Sequence, residues 1–337
     1  MVQMSKCPPD IPLKANDANQ KSLHKNCDRN SRSSHVLAAA TRKVNNSNLI
    51  KGSLTLGVGS TGRVYQAVDM STGLLMAVKQ INLELSIKHE FARKTNHAEE
   101  QKSRKSRRMS LATAMGLERE ITERLVKCVH QNIVRYLRTS WDEKSDFEFL
   151  NIFTEYISGC SISTILSKGG ALGEPRAKNF TSQILQGLEY LHMRGIIHGN
   201  IKGSNILVDA SGGVKISSFG ILDFKEVDDR SCAIFSMAPE IVKRSAIVTQ
   251  KADIWSIGWL VIEMLSGKHI WDLIPMQPIL QTGSGSTAPT NDDIEISAEA
   301  QEFLELVIQI EQEARPRADE LQFHFWLVDR SKVEKDN

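Results

Sequence analysis

From residue 49 onward, apolar and polar residues alternate in a pattern that predicts three consecutive β-strands. A first apolar run leads into the glycine-rich turn 57–62, and a second run covers 64–68. A polar turn at 69–73 precedes the third run, 74–81. Period-two alternation bounded by Gly, Asp and Ser is typical of antiparallel strands joined by turns.

Farther along the chain, the hydrophobic period rises to between three and four residues, which predicts helices. Phe180, Ile184, Leu188 and Leu191 share one helical face, whereas 254–265 is apolar nearly all round, as in a helix buried inside a domain. The order of these patterns predicts an α+β fold with two lobes: a small antiparallel β lobe followed by a larger α-helical lobe.

Composition divides the chain into a polar tail, the two-lobed domain and a short second tail. The N-terminal segment has few large apolar groups, so it buries too little surface to offset its ordering entropy, and we expect disorder there. The expected boundaries are 1–48 for the N-terminal tail, 49–157 for the small lobe, 84–112 for a basic insert within it, 158–328 for the large lobe and 329–337 for the C-terminal tail.

Charge and cysteine content narrow the classes of partner and compartment. The 337 residues include 42 Lys and Arg against 40 Asp and Glu, a net charge of +2, which favours neither nucleic acid nor a membrane. The longest apolar run, 254–265, is too short to span a bilayer. Five widely spaced cysteines form no C-x-x-C pair, which predicts neither a zinc site nor a disulfide framework and favours a reducing, cytoplasmic compartment.

The glycine-rich turn 57–62 has the pattern G-x-G-x-x-G, which two kinds of nucleotide site share. In a dinucleotide-binding unit the pattern must end a strand and open a helix. Here a second strand follows, so the sequence predicts a hairpin and excludes that alternative. An ordinary hairpin without a ligand is less favoured, because Lys79 lies on the next strand, where a phosphate-pairing lysine belongs.

Two further motifs, at 198–205 and 218–220, resemble the H-R-D-L-x-x-x-N and D-F-G patterns of protein kinases. The first reads His-Gly-Asn-Ile-Lys-Gly-Ser-Asn and the second Ser-Phe-Gly. Each has lost its aspartate. Three other segments, 116–121, 130–136 and 150–156, resemble the mitogen-activated protein kinase kinase kinase family, particularly its fungal members.

The resemblance implies a two-lobed protein kinase fold that binds ATP. Lys79 would pair with the phosphates and with Glu120, for which Glu118 is the alternative, and Thr154 would stand behind the adenine pocket. The implied ATP-binding residues are Leu56, Gly57, Val58, Gly59, Gly62, Val64, Ala77, Lys79, Glu120, Thr154, Glu155, Ile157 and Leu207. Asp253, Glu240 and Arg315 match framework positions of the large lobe.

The resemblance also places Asn200 and Ser218 where the catalytic and the metal-binding aspartates belong. Loss of a general base typically costs about 10²–10⁴ in rate. Mg²⁺ prefers carboxylate oxygens to a hydroxyl, so we expect weak or metal-independent ATP binding. Lys202 remains to contact the γ-phosphate, and Asn205 remains as a weak metal ligand.

The basic insert contains Arg107 and Arg108 before Ser110. This spacing resembles a site for a basophilic kinase, so Ser110 is a candidate phosphorylation site, although a solvated insert is the simpler interpretation.

Three functions therefore remain open from the sequence. The first is a regulatory pseudokinase that acts with other protein kinases of a signalling cascade. The second is an active Ser/Thr kinase of reduced activity, and the third is a diverged copy without function.

Overall fold

A computed structural model describes residues 42–43, 49–59, 62–82, 122–141, 149–219, 238–243, 249–268 and 295–328. The basic insert lies outside these ranges, as do Glu120, Ser110 and nearly all of the N-terminal segment. The chain divides into two compact units: the described residues of the small unit end at 127 and resume over 135–156, and those of the large unit cover 128–134 and continue from 157.

The small unit is built on one antiparallel sheet in the order β1-β2-β3-β4-β6-β5. Its strands are β1 Arg42–Lys43, β2 Leu49–Gly59, β3 Gly62–Asp69, β4 Leu75–Asn82, β5 Tyr136–Trp141 and β6 Phe149–Glu155. One face of the sheet carries a cluster of four fully buried side chains, Ala67, Met76, Val78 and Phe153. The three predicted strands are confirmed, since they match β2, β3 and β4.

The large unit is mostly helical. Its helices are α1 Ile162–Gly169, α2 Glu174–His192, α3 Pro239–Lys243, α4 Lys251–Ser266, α5 Ala298–Val307 and α6 Ala318–Leu321, and its three-stranded sheet contains β7 Gly159–Ser161, β8 Ile206–Asp209 and β9 Val214–Ile216. The four apolar residues that predict α2 are all buried. The α+β fold class with a small β part and a larger helical part is confirmed.

Helix α4 forms the centre of the large unit, because it is buried on every side over most of its length. Trp255 and Trp259 meet edge to face, with 6.2 Å between ring centroids. The helix ends at Gly267, whose φ of +66° suits glycine and whose N–H donates to the carbonyl of Glu263. None of the described helices is both long enough and apolar enough to cross a bilayer.

The segment 128–134 lies within the range that the sequence assigns to the small lobe, yet it bonds to strand β9. Ile133 forms a parallel bridge with Ile216, and the N–H of Val134 donates to the Ile216 carbonyl. The side-chain amide of Asn132 also donates to Val214 over 2.8 Å. These long-range bonds place the segment with the large unit.

The sequence predicts no disulfide framework, but one described cysteine is bonded. Cys128 is free and buried, but Cys160 is disulfide-bonded. Widely spaced cysteines can pair only when the fold brings them together, and sequence spacing does not report this.

Candidate functional site

Asp253, in the first turn of α4, anchors the segment that carries the first motif. It is fully buried and accepts the backbone N–H of His198 at 2.8 Å and that of Gly199 at 2.7 Å. His192, on α2, lies 2.8 Å from the same carboxylate through Nε2. Three N–H groups therefore compensate a buried carboxylate, which keeps the position of the segment fixed.

The imidazole of His198 ties this segment to the second motif. Its Nδ1 accepts the backbone N–H of Asn200 at 3.1 Å, and its Nε2 donates to the carbonyl of Ser217 at 2.9 Å. A neutral ring with its proton on Nε2 satisfies both bonds. Gly199, between the two bonded residues, has a φ of +71°, a conformation that costs glycine little.

Asn200 and Asn205 are brought together directly. The side-chain amide of Asn205 donates to the Asn200 carbonyl at 2.7 Å, and the Asn205 carbonyl accepts both the N–H and the hydroxyl of Ser217 at 2.9 Å. The amide nitrogen of Asn205 is thus used within the loop. The side-chain Oδ1 of Asn205 is the atom that can ligate a cation.

Ser218 has an unusual backbone conformation. Its φ is +66°, and within the described ranges it is the one residue other than glycine with a positive φ. Side chains make this region costly, and Asn, Asp and Gly adopt it most readily. The next residue, Phe219, is buried at 4% exposure and holds the segment against the core.

The side-chain oxygens at positions 200, 205 and 218 are poor ligands for Mg²⁺. Asn205 and Ser218 offer neutral oxygens, and Asn200 offers another, whereas Mg²⁺ is a hard cation that binds best to carboxylates. Across the ranges that the structure describes, no group of three or more His, Cys, Asp or Glu side chains could hold a metal ion. The expectation of poor Mg²⁺ binding therefore stays a prediction with a chemical basis.

Lys202 is the charged group of this segment. Burial lowers the pKa of its ammonium group, and the carboxylate of Glu263 partly opposes that shift. An ammonium group that burial destabilises is stabilised when an anion approaches, so the position of Lys202 suits a phosphate.

In the small unit, the strand register places four predicted residues on one face of the sheet. Lys79 is directly opposite Val64 on β3, and Ala77 is directly opposite Thr154 on β6. Residues two apart on a strand share a face, so all four side chains point the same way. Ile152, opposite Lys79 and fully buried, shares this face and was missed, although the alternation in 150–154 was a signal for it.

Strands β2 and β3 pair as far as Gly59 with Gly62, within the glycine-rich pattern 57–62. Gly62 has a φ of +144°, and a Cβ there would lie 2.0 Å from the carbonyl oxygen of Gln80, so no other residue fits without a shift. Gly57 pairs with Val64, and a Cβ at Gly57 would meet no atom within 4 Å. Gly62 therefore serves the packing of the sheet, whether or not a phosphate binds.

The remaining predicted residues divide between the two units. Leu56 and Val58, in the small unit, are 40% and 72% exposed, which is high for apolar side chains. Glu155 ends strand β6 in the same unit. Ile157 and Leu207 belong to the large unit, where Leu207 pairs with Ser161 and Lys215.

Glu240 and Arg315 form a buried ion pair in the large unit. Two parallel bonds of 2.7 and 2.9 Å join the guanidinium to the carboxylate, and Arg315 is 1% exposed. The other guanidinium N–H groups donate to the carbonyls of Gln309, Lys251 and Ile310. Every donor of the group is used, the condition under which a buried charge is tolerated.

Comparisons with known proteins agree with this architecture. The family model described as the protein kinase domain matches residues 51–327. The chain is 41% identical over 293 residues to the mitogen-activated protein kinase kinase kinase MST11 of Pyricularia oryzae, an alignment that covers 83% of this chain and 30% of that protein. It is 35% identical over 324 residues to the serine/threonine-protein kinase STE11 of Saccharomyces cerevisiae, which covers 87% and 44%.

The chain therefore spans less than half the length of these two curated relatives. Among solved structures, residues 1–466 of Rad53 in complex with AMP-PNP match with a TM-score of 0.58 and 25% identity, over 83% of this chain and 66% of that one. The resemblance to the mitogen-activated protein kinase kinase kinases is confirmed by these relatives. The chain belongs to the protein kinase domain family, and its kinase domain is similar to those of the fungal kinases MST11 and STE11.

Proposed function

We propose that this protein is a regulatory pseudokinase: a kinase domain that binds ATP weakly and transfers phosphate poorly or not at all. The observation that carries the proposal is the neutral pair Asn200 and Ser218 inside a segment whose backbone is held by hydrogen bonds. Asp253 and His198 hold that segment with four hydrogen bonds to backbone groups of residues 198–200 and 217. The segment is folded for chemistry, but the two carboxylates that the chemistry requires are absent.

The rate enhancement lost with each missing carboxylate supports the proposal that phosphate transfer is poor or absent. An asparagine has the shape of aspartate without its basic charge, which removes a contribution of about 10²–10⁴ in rate. Phosphoryl transfer depends mainly on positioning and on neutralising phosphate charge, so the loss of a metal-binding carboxylate at position 218 affects the larger contribution.

Each unit, considered by itself, carries residues that suit ATP. Lys79, Val64, Ala77 and Thr154 share one face of the small sheet. The partly buried ammonium of Lys202, in the large unit, would gain from a phosphate. The AMP-PNP complex of the similar Rad53 structure agrees with a nucleotide role.

The partners we propose are other protein kinases of a signalling cascade, because the relative MST11 is a mitogen-activated protein kinase kinase kinase. A cytoplasmic location is part of the same proposal, since a cascade of this kind requires its members to share a compartment. A domain that keeps its fold and loses transfer would act on such partners by conformation.

The deciding experiment measures phosphate transfer and nucleotide binding separately in the unaltered chain and in the double variant Asn200→Asp, Ser218→Asp. A control with the same charge change, Met193→Asp with Phe323→Asp, places both acids at side chains that are 78% and 81% exposed. We expect no Mg²⁺-dependent transfer from the unaltered chain or the control, and measurable transfer from the double variant.

Strong Mg²⁺-dependent transfer by the unaltered chain, lost in Lys79→Met, would overturn the proposal in favour of an active kinase. For binding, thermal unfolding is followed with ATP, with and without Mg²⁺. We expect a shift that Mg²⁺ does not enhance. No shift at millimolar ATP would remove nucleotide binding from the proposal.

A further inference from the structure

Arg135 and Glu155 lie at two points where the chain passes between the units. The small unit includes residues 135–156, so Arg135 is the first residue after one passage and Glu155 is the second last before another. Strand β5 begins just after Arg135, and strand β6 ends at Glu155. The last regular pair of the two strands is Tyr136 with Thr154, so Arg135 and Glu155 extend the ladder by one step.

Two hydrogen bonds connect Arg135 and Glu155. The backbone N–H of Glu155 donates to the Arg135 carbonyl at 2.9 Å, as in an ordinary ladder. In return, the backbone N–H of Arg135 donates to the side-chain Oε1 of Glu155 at 2.8 Å. A carboxylate that accepts an N–H forms a stronger bond than a carbonyl does. We name these two bonds the Arg135–Glu155 clasp.

The clasp fixes the backbone at Glu155 from two sides. The N–H of the residue and its side chain are both tied to Arg135, so the chain direction at the end of β6 is set before it continues toward Ile157. The carbonyl of Ile157 also accepts the N–H of Gly159 at 3.0 Å, which orders the next turn. The segment 155–157 is therefore held at both ends by hydrogen bonds.

We infer that Glu155 is a positioning residue for nucleotide binding: by holding Arg135, its carboxylate fixes the backbone of 155–157, whose polar groups we assign to adenine. This inference rests on the proposed function, because it concerns the segment assigned to adenine. The carboxylate acts through Arg135 and the backbone and does not touch the nucleotide. Arg135 is exposed, so water can replace the carboxylate at its N–H, and the expected effect is moderate.

The test uses the full chain and three variants. Glu155→Ala removes the acceptor, Glu155→Gln keeps a side-chain oxygen that can accept the same N–H, and Glu311→Ala removes an exposed glutamate of the large unit as a control. Hydrogen exchange at the Arg135 amide reports on the clasp without any ligand. Affinities for adenosine and for ATP, without Mg²⁺, report on positioning.

For Glu155→Ala we expect Arg135 exchange to speed up, and both dissociation constants to rise, by about twofold to tenfold, the size of one net hydrogen bond. Adenosine and ATP should weaken by the same factor, because the clasp acts on adenine and not on phosphate. Glu155→Gln should recover most of both effects, and the control should change neither.

The contrary results separate this inference from the proposed function. Unchanged exchange at Arg135 in Glu155→Ala, or faster exchange with unchanged affinities, would overturn the inference while nucleotide binding stands. Equal losses in the Gln and Ala variants would also overturn it, since the shared oxygen would then be irrelevant. Failure of the unaltered chain to bind adenosine or ATP would overturn both.

Discussion

Two sets of residues in the large unit differ in how their polar groups are satisfied. The framework consists of Asp253, Glu240 and Arg315, and the chemistry positions are 200 and 218, where the catalytic and metal-binding aspartates are expected. In the framework, Asp253, Glu240 and Arg315 are buried charges, and each is met by several hydrogen bonds. At the chemistry positions, Asn200 and Ser218 are neutral, and the loop around them is nevertheless fully formed. Asp253 and His198 make the hydrogen bonds that hold this loop, and the loop is formed without an acid at position 200 or 218.

The two chemistry positions also differ from each other. Asn200 contributes its backbone N–H and carbonyl to the loop. These bonds form equally well with asparagine or aspartate at this position, because neither uses the side chain. Ser218 has a positive φ that suits Asp, Asn or Gly better than Ser. Asparagine in place of aspartate is therefore neutral for the backbone at position 200, whereas serine in place of aspartate is costly for the backbone at position 218.

The largest expected effect is in the framework. Arg315→Leu would leave the Glu240 carboxylate buried without its partner, so we expect a loss of about 3–5 kcal/mol in unfolding free energy. The measurement is urea unfolding. Arg317→Leu, which removes an exposed pair with Asp319, is the matched control and should change the midpoint little. Similar losses in both variants would contradict the assigned difference.

The next effect concerns Asp253. In Asp253→Asn, one acceptor oxygen becomes a donor that faces buried N–H groups, so we expect a loss of about 2–3 kcal/mol. Faster hydrogen exchange at the amides of His198 and Gly199 should accompany it. A stability loss without faster exchange at those two amides would show that Asp253 does not anchor the loop.

A framework carboxylate gives a smaller, pH-dependent effect. Burial raises the pKa of Glu174, but bonds from Ser297 and Trp326 more than offset this and hold the pKa below its ordinary value of 4.5. A depressed pKa stabilises the fold above the unfolded value and ceases to do so as the pH falls through the folded value. Glu174→Gln should therefore cost about 1 kcal/mol at neutral pH and nothing in acid. Acid unfolding curves of both proteins measure this, and a constant difference at every pH would contradict it.

At Ser218 we expect a substitution that raises the free energy of unfolding. Ser218→Gly removes the side-chain cost of a positive φ, so we expect a gain of about 0.5–1 kcal/mol after the added entropy of the unfolded chain. The same change one residue earlier, Ser217→Gly, removes a hydroxyl bond to Asn205 at a residue without a positive φ, and should destabilise. A loss in both variants would show that relief of the positive φ does not outweigh the interactions lost with the Ser218 side chain.

The smallest effect is expected at Asn200. Its side chain takes no part in the hydrogen bonds that hold the loop, which use its backbone groups. Asn200→Asp should therefore change stability by less than about 0.5 kcal/mol, in keeping with substitutions outside a packed or bonded feature. Thermal unfolding checks this, and a loss above 2 kcal/mol would mean that the amide is part of the framework.

Much of the fold could be predicted because its patterns are local. Alternation in β3 and β4 and the helical face of α2 reflect burial on one side of an element, which a sequence displays directly. The Glu240–Arg315 pair was expected only through the resemblance, since 75 residues separate the partners. The placement of 128–134 on the large unit was not predicted, because it depends on bonds to β9, more than 80 residues away.

The candidate site was predictable in residue type but not in geometry. Motif spacing identified Asn200, Lys202, Asn205 and Ser218, yet the positive φ of Ser218 is a backbone geometry that motif spacing does not report. The Arg135–Glu155 clasp left no signal in the sequence, because a glutamate at the end of a strand can equally face water.

By itself, the sequence determined which segments become strands and helices and which acids are missing from the two motifs, because these are properties of neighbouring residues. Tertiary structure alone decided that Lys79, Val64, Ala77 and Thr154 share one face of a sheet and that Asp253 reaches the loop at 198–199. The physical reason is that strand register and buried polar bonds depend on residues far apart in the chain, whose approach is fixed only when the core is packed.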